Sequence, residues 1–180
     1  IDTPGSMKPE HLVNTDALIT RRKQVLLCVQ TADCAPVIYY DPVHHAVGIA
    51  HAGWRGAVNG ILQKVTEAMH VYFQTEPKSL QVAIGPSIGP EVYEVRSDVQ
   101  QQVLAYYPKS QADHLLKPLR GDTFAFNLWH ANKLQLLMAG VPESQIEVSG
   151  LCTYSHPEKF YSARYNQGNT GRLCSGVFIK

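Results

Sequence analysis

Apolar residues occur in short runs divided by turn-forming residues, and the spacing within the runs switches between strand and helix periods. Val25–Val29 and Ala46–Ala50 are continuous apolar runs that predict two buried strands, the second after a turn at Asp41-Pro42. From Gly56 to Phe73, the residues Val58, Ile61, Leu62, Val65, Met69 and Tyr72 recur at helical spacing and predict an amphipathic helix packed on a sheet. Leu80–Ile84 predicts a strand. The Gly85-Pro-Ser-Ile-Gly-Pro90 turn that follows places Pro90 in the first turn of a helix reaching Tyr107. Asn127–Ala139 predicts a further helix, closed by Gly140 with Pro142 behind it. Ile146–Val148, Phe160–Ser162 and Leu173–Ile179 complete the predicted strands. Alternation of this kind gives an α/β fold with a mixed β-sheet and packed helices, in one domain over residues 1–180, with no internal repeat or low-complexity linker.

Composition narrows the function classes. With 180 residues, 44% hydrophobic and 17% charged, the chain can bury one sizeable core. A formal net charge of +1, with Arg21-Arg-Lys23 as the one basic cluster, offers no footprint for nucleic acid. That cluster reads as a solvated turn. No apolar stretch approaches the ~20 residues of a membrane span and no signal peptide opens the chain, so the expectation is a cytoplasmic enzyme. The four cysteines are irregularly spaced and read as free thiols, with Cys28 and Cys174 packed inside strands.

Candidate chemistry gathers at Thr31-Ala-Asp-Cys34 and His51-Ala-Gly-Trp-Arg-Gly56. If the two strands lie side by side, the Cys34 thiol and the His51 imidazole come within reach of one metal ion. A zinc site normally takes at least three protein ligands, so another side chain is required. Taken without that company, Cys34 reads equally as a small buried hydrophobe. Gly53 and Gly56 precede the first predicted helix and would let the backbone turn its N–H groups toward an anion. Arg55 beside them offers a planar, bidentate fork to phosphate or ribose, or a surface ion pair. Asp33 stands next to Cys34 and would orient a ligand, accept a proton or cap the loop. The turn at 85–90 matches neither the dinucleotide nor the P-loop pattern, and the H-x-E with P-C-x-x-C signature of cytidine deaminases is absent.

Five segments occur in order: Thr31-Ala-Asp-Cys-Ala-Pro36, His51-Ala-Gly-Trp-Arg-Gly56, Ile84-Gly-Pro-Ser-Ile-Gly-Pro90 with Tyr93-Glu-Val95, Leu151-Cys-Thr-Tyr154, and Phe160-Tyr-Ser with Arg164 and Thr170-Gly-Arg172. Together they resemble the YfiH-type family, once called laccase-like or multicopper polyphenol oxidases and described as zinc-dependent purine nucleoside phosphorylases with adenosine deaminase activity. The resemblance implies a metal site of two His and one Cys, matched here by Cys34 and His51. The first His belongs to a Gln-Val-His-Gly-like segment that this sequence lacks. Its opening, Ile1-Asp-Thr-Pro-Gly5, looks like a point already inside the family domain, which implies an N-terminally truncated copy. His11, His44 and His45 remain by composition, and none matches the motif.

By the same resemblance, the partners are purine nucleosides and phosphate. Arg55, with Arg164 or Arg172, would neutralise the phosphate. Zinc would activate the water that deaminates adenosine, with Cys34, His51 and Asp33 as the catalytic group. Two other readings stand beside this one. A copper-dependent polyphenol oxidase follows from the older family name, against which the chain has no H-x-H pair and three Met. A catalytically inactive scaffold or dimerisation unit is the third.

Overall fold

The run around Ala46 becomes the centre of the molecule. In the computed structural model, which describes residues 13–180, strand β4 (Ala46–Ala52) is buried along its length except at His51. Its neighbours are β1 (Ala17–Thr20) and β3 (Ala35–Asp41), both antiparallel to it. Next to β3 lies β5 (Gln81–Ile84), and the parallel edge strand β9 (Ile146–Val148) completes a five-stranded mixed sheet ordered β1-β4-β3-β5-β9.

Both faces of that sheet are covered, which explains why β4 reads as an unbroken apolar run. Ala46, Ala50 and Ala52 pack with Val37 and Tyr39 under Leu62, Val65 and Met69 of helix α2 (Ile61–Phe73) and Leu136 of helix α5 (Leu128–Met138). On the opposite face, Val47 and Ile49 pack with Leu27 and Val177 from a two-stranded antiparallel sheet of β2 (Leu27–Thr31) and β10 (Leu173–Val177). A smaller subassembly holds its own apolar cluster, including Val99, Val103, Leu115 and Phe126. It comprises β6 (Glu94–Arg96), α3 (Ser97–Tyr106), α4 (Lys109–Leu115), β7 (Leu116–Pro118) and β8 (Thr123–Phe126), with strand order β6-β8-β7.

The expected α/β class with a mixed sheet is what the chain adopts, and several local expectations change. The helix expected over Gly56–Phe73 is two pieces. Its first is the single turn α1 (Trp54–Ala57), and the left-handed Gly60 at φ 69° breaks the chain before α2. A side chain at Gly60 would also put its Cβ 2.6 Å from the Tyr106 hydroxyl. The helix expected from Pro90 starts only at Ser97, because Val92 to Arg96 first turn back and pair with β8. Phe160–Ser162 is loop. Cys28 and Cys174 sit in strands as expected, but both are exposed on the outer face of the two-stranded sheet. Among the described residues no helix is long and apolar enough to cross a membrane. His11 and the opening Ile1–Gly5 lie outside the described residues.

Candidate active site at the open end of the sheet

The β3–β4 hairpin brings the two candidate ligands to one face. Its register pairs Ala35 with Ala52 and Pro36 with His51, so one step further Cys34 stands opposite Gly53. A Cβ on Gly53 would sit 2.6 Å from the Cys34 Sγ. That close approach, in place of a bend, is the reason for glycine here, since Gly53 has an extended backbone with φ −83°. Cys34 and His51 are therefore diagonal neighbours on the same side of the pleat, a relation that puts Cα atoms about 7–8 Å apart. The sulfur is largely buried, and burial first, then the charges of Asp33 and Asp16, push the Cys34 thiol up to about 11 against the pull of Arg55 and Arg172.

Asp16, which sequence reasoning missed, belongs to this group. It lies just before β1, its carbonyl accepts the His51 backbone N–H at 2.7 Å, and its Oδ1 lies 3.7 Å from His51 Nδ1. At that distance the carboxylate is an electrostatic neighbour of the imidazole and not a hydrogen-bond partner. No signal in the sequence marks Asp16, because it reaches His51 through β-pairing across more than thirty positions.

Asp33 is the hub of the site. It is buried, in the left-handed region at φ 85°, and both carboxylate oxygens are taken. Oδ1 accepts the Thr153 hydroxyl at 2.7 Å and Oδ2 accepts the Arg164 backbone N–H at 2.7 Å. Its own carbonyl accepts the Ile88 N–H at 2.9 Å. One residue thus ties the loop before β3 to the 85–90 turn, the 151–154 segment and the 160–172 loop. Through these bonds Asp33 ties together the loops around the site.

The 85–90 turn is held at further points. Gly85 donates to the Pro36 carbonyl at 2.8 Å, Trp129 Nε1 donates to Ser87 Oγ at 2.8 Å, and the Gly89 N–H donates to Cys152 Sγ at 3.2 Å. Burial disfavours ionisation of Cys152, but hydrogen bonds from Ser155, Gly89 and Tyr154 outweigh it and hold the thiol below its usual value.

The arginines line the approach. The Arg55 guanidinium lies over the Trp54 ring at 4.6 Å, and that of Arg164 over Tyr93 at 5.4 Å while donating to the Glu94 carbonyl at 3.0 Å. Arg172 is exposed and donates to the carbonyls of Thr170 and Gly171 at 2.9 Å. Two recesses share Tyr93 and Arg164, one of about 440 Å³ against Asp33 and Ile88 and one of about 380 Å³ along Trp54 and Arg96. Tyr93, the aromatic wall between them, was not singled out by the sequence as a site residue. Burial and then the adjacent Cys34 push its phenol up, so it stays a neutral donor. Gly56 does not turn the chain toward an anion, because it lies inside the single turn α1, which is too short to present a helix N-terminus.

Cys34 and His51 are the two soft or borderline donors brought together, and among the described residues no third His, Cys, Asp or Glu completes a metal-holding group. A thiol and an imidazole suit zinc or copper, not magnesium or calcium. His44 is elsewhere, paired with Asp41 at 2.8 Å in the β3–β4 turn beside His45.

A family model described as multi-copper polyphenol oxidoreductase laccase matches residues 3–180. A purine nucleoside phosphorylase of Bacteroides thetaiotaomicron is 36% identical over 182 residues, covering 99% of this chain and 66% of the relative. The purine nucleoside phosphorylase YlmD of Bacillus subtilis is 39% identical over 166 residues, covering 92% of this chain and 59% of its own. Of solved structures, the hypothetical protein YfiH of Bacillus licheniformis superposes with a TM-score of 0.87 at 37% identity, covering 92% of this chain and 62% of that one. YlmD of Geobacillus stearothermophilus gives a TM-score of 0.87 at 36% identity, covering 92% and 61%. The chain thus spans 59% to 66% of the length of these curated relatives.

Proposed function

The chain belongs to the family described as multi-copper polyphenol oxidoreductase laccase, and we propose that its site serves phosphorolysis of purine nucleosides, with deamination of adenosine at the same centre. The observation that carries this reading is the pairing of two arginines with two aromatic faces, Arg55 on Trp54 and Arg164 on Tyr93, beside Cys34 and His51. Phosphorolysis needs an anion held below the ribose C1′ while the purine departs. Guanidinium groups neutralise and orient the phosphate, and the Trp54 and Tyr93 rings beneath them hold them in place. The names of the relatives agree with that chemistry.

Cys34 and His51 are the residues that would hold a metal, with the Asp16 carbonyl fixing the His51 backbone through its N–H. Zinc bound there would supply the Lewis acidity that lets water react at neutral pH, the requirement for replacing the amino group at C6 of adenosine. Asp33 holds the loops that carry Arg164 and Ile88 in register with Cys34, and Arg172 adds positive charge at the rim. Copper with phenol oxidation is the second reading, carried by the family description alone.

The experiment is elemental analysis together with two assays, phosphate-dependent release of hypoxanthine from inosine and conversion of adenosine to inosine. In Cys34→Ala and in His51→Ala, zinc content and deamination should fall together, by about 10²-fold or more in turnover, with the circular dichroism unchanged. Full deamination in a zinc-free variant would remove the metal from the mechanism. Copper in place of zinc, with oxidation of a phenol, would replace this reading by the second.

A further inference from the structure

Among the described residues three tyrosines are buried, and two of them use their hydroxyl to hold the fold. Tyr39 Oη donates to the Leu62 carbonyl at 3.2 Å, and Tyr107 Oη donates to the carbonyls of Ala57 at 2.7 Å and Ala131 at 3.1 Å. Tyr93 is the exception. It is 9% exposed, yet its hydroxyl has no hydrogen-bond partner among the described residues. The hydroxyls of Thr31 and Thr75 are sealed from solvent without a partner, whereas the Tyr93 oxygen is not sealed and opens on the recesses that the residue lines. The rest of Tyr93 is fixed. Its N–H donates to the Gly89 carbonyl at 3.1 Å, its carbonyl accepts the Phe126 N–H at 2.9 Å, and its ring lies 5.8 Å from that of Phe126 and under the Arg164 guanidinium. Buried phenols usually find a partner, so one held rigidly at a cavity wall without any is placed for a ligand.

Tyr93 forms the wall shared by the two recesses. The one bounded by Ala32, Ile88 and Ala163 suits a flat base. The one bounded by Arg96 and Arg164 suits an anion, with Glu94 and Asp98 as acceptors for ribose hydroxyls. A nucleoside lying across both sets its glycosidic bond at the wall, with the imidazole half of the purine, the ring joined to the ribose, beside Tyr93. The free nitrogen of that ring is N7.

We propose that Tyr93 is a catalytic residue whose hydroxyl donates a hydrogen bond to N7 of the departing purine, a role that rests on the phosphorolysis reading above. A phosphate oxygen bonds to C1′ as the C1′–N9 bond breaks, and the electron pair of that bond passes into the base, where N7 shares the negative charge. The Tyr93 O–H stabilises that charge and keeps its own proton. The proton that hydrogen phosphate loses on becoming ribose 1-phosphate ends on the released base. Burial favours the neutral phenol, which is the form that donates.

The test compares inosine with 7-methylinosine, whose N7 carries a methyl group and a fixed positive charge. That base leaves without a donor and offers no lone pair to one. Tyr93→Phe keeps the ring, its contact with Phe126 and the cover of Arg164, and removes only the oxygen. At saturating phosphate, kcat for inosine should fall about 10²-fold with KM nearly unchanged, while kcat for 7-methylinosine stays within about twofold of the parent and the circular dichroism does not change. Equal losses on the two nucleosides would make Tyr93 a structural wall, and no loss on either would leave its hydroxyl without a part in the reaction; both results overturn the donor. Turnover of 7-deazainosine, which has carbon in place of N7, by the parent at the rate of inosine overturns it as well, whether or not the variant folds. A parent that phosphorolyses neither inosine nor 7-methylinosine removes the phosphorolysis reading itself, and the donor with it.

Discussion

At the scale of single residues, close approaches decide what the site can be. Gly53 has no left-handed backbone to justify it, and the Cys34 sulfur alone occupies the space a Cβ would need. Arg55 is exposed and rests on Trp54, free to swing a planar fork toward an anion. On the function proposed above, Arg55→Lys keeps the charge and loses that fork, so phosphorolysis should fall about 10–100-fold while zinc content and deamination stay near the parent values. Steady-state kinetics of the two reactions on one preparation checks it. Equal losses in both would make Arg55 a folding residue at the α1 turn. The sequence pointed to Cys34, His51, Arg55 and Arg164, because each lies in a short distinctive segment. Asp16 escaped, since nothing local distinguishes an aspartate before a strand from an ordinary surface residue, and Tyr93 stood in a distinctive segment with no role attached to it.

Among the elements, those whose signals are local were legible. α5 has its cap in the sequence, Asn127, whose side chain accepts the His130 N–H at 3.0 Å, and its stop in Gly140 at φ 87°. β5 and β9 fall within a residue of their apolar runs. β3 was missed because Pro36 and the pair Tyr39-Tyr40 obscure its alternation, although Pro36 sits at the strand's start, where a ladder donor is dispensable. The Gly56–Phe73 pattern read as one helix since periodicity does not register a single left-handed residue such as Gly60. The β3–β4 turn rests on Asp41, whose buried carboxylate accepts the N–H of Val43 at 2.8 Å and of His44 at 3.1 Å. Burial alone would raise the Asp41 pKa, but the nearby Thr75 hydroxyl and the hydrogen bonds from His44 and Val43 hold it below the usual value. A depressed folded-state pKa gives stability that is present above the unfolded value and is lost as pH falls through the folded one. Asp41→Asn should therefore cost about 2 kcal/mol at neutral pH, and the difference from the parent should shrink at acid pH, as urea unfolding at several pH values would show. A gap independent of pH would assign the loss to shape and not to charge.

Across the whole molecule, Asp33 joins what the chain keeps far apart. Asp33→Asn keeps a residue tolerant of positive φ and one carbonyl acceptor, yet gives up the second, charged acceptor. It should destabilise the protein by about 2 kcal/mol and speed amide exchange most at Thr153 and Arg164, whereas the α2 amides should change only by the global amount. Uniform acceleration everywhere would show that Asp33 supports the core and not the site. The order in which these partners arrive along the chain adds a further point. The cluster between the sheet and α2 has all its members once Ile146 is in place, but Thr153, Arg164 and β10 are still to come. Contacts separated by so many residues close last, since the entropy of the intervening loop must be overcome first. During synthesis the apolar centre can therefore assemble before the arginine-bearing segment has left the ribosome, and Arg164 and Arg172 join it only afterwards.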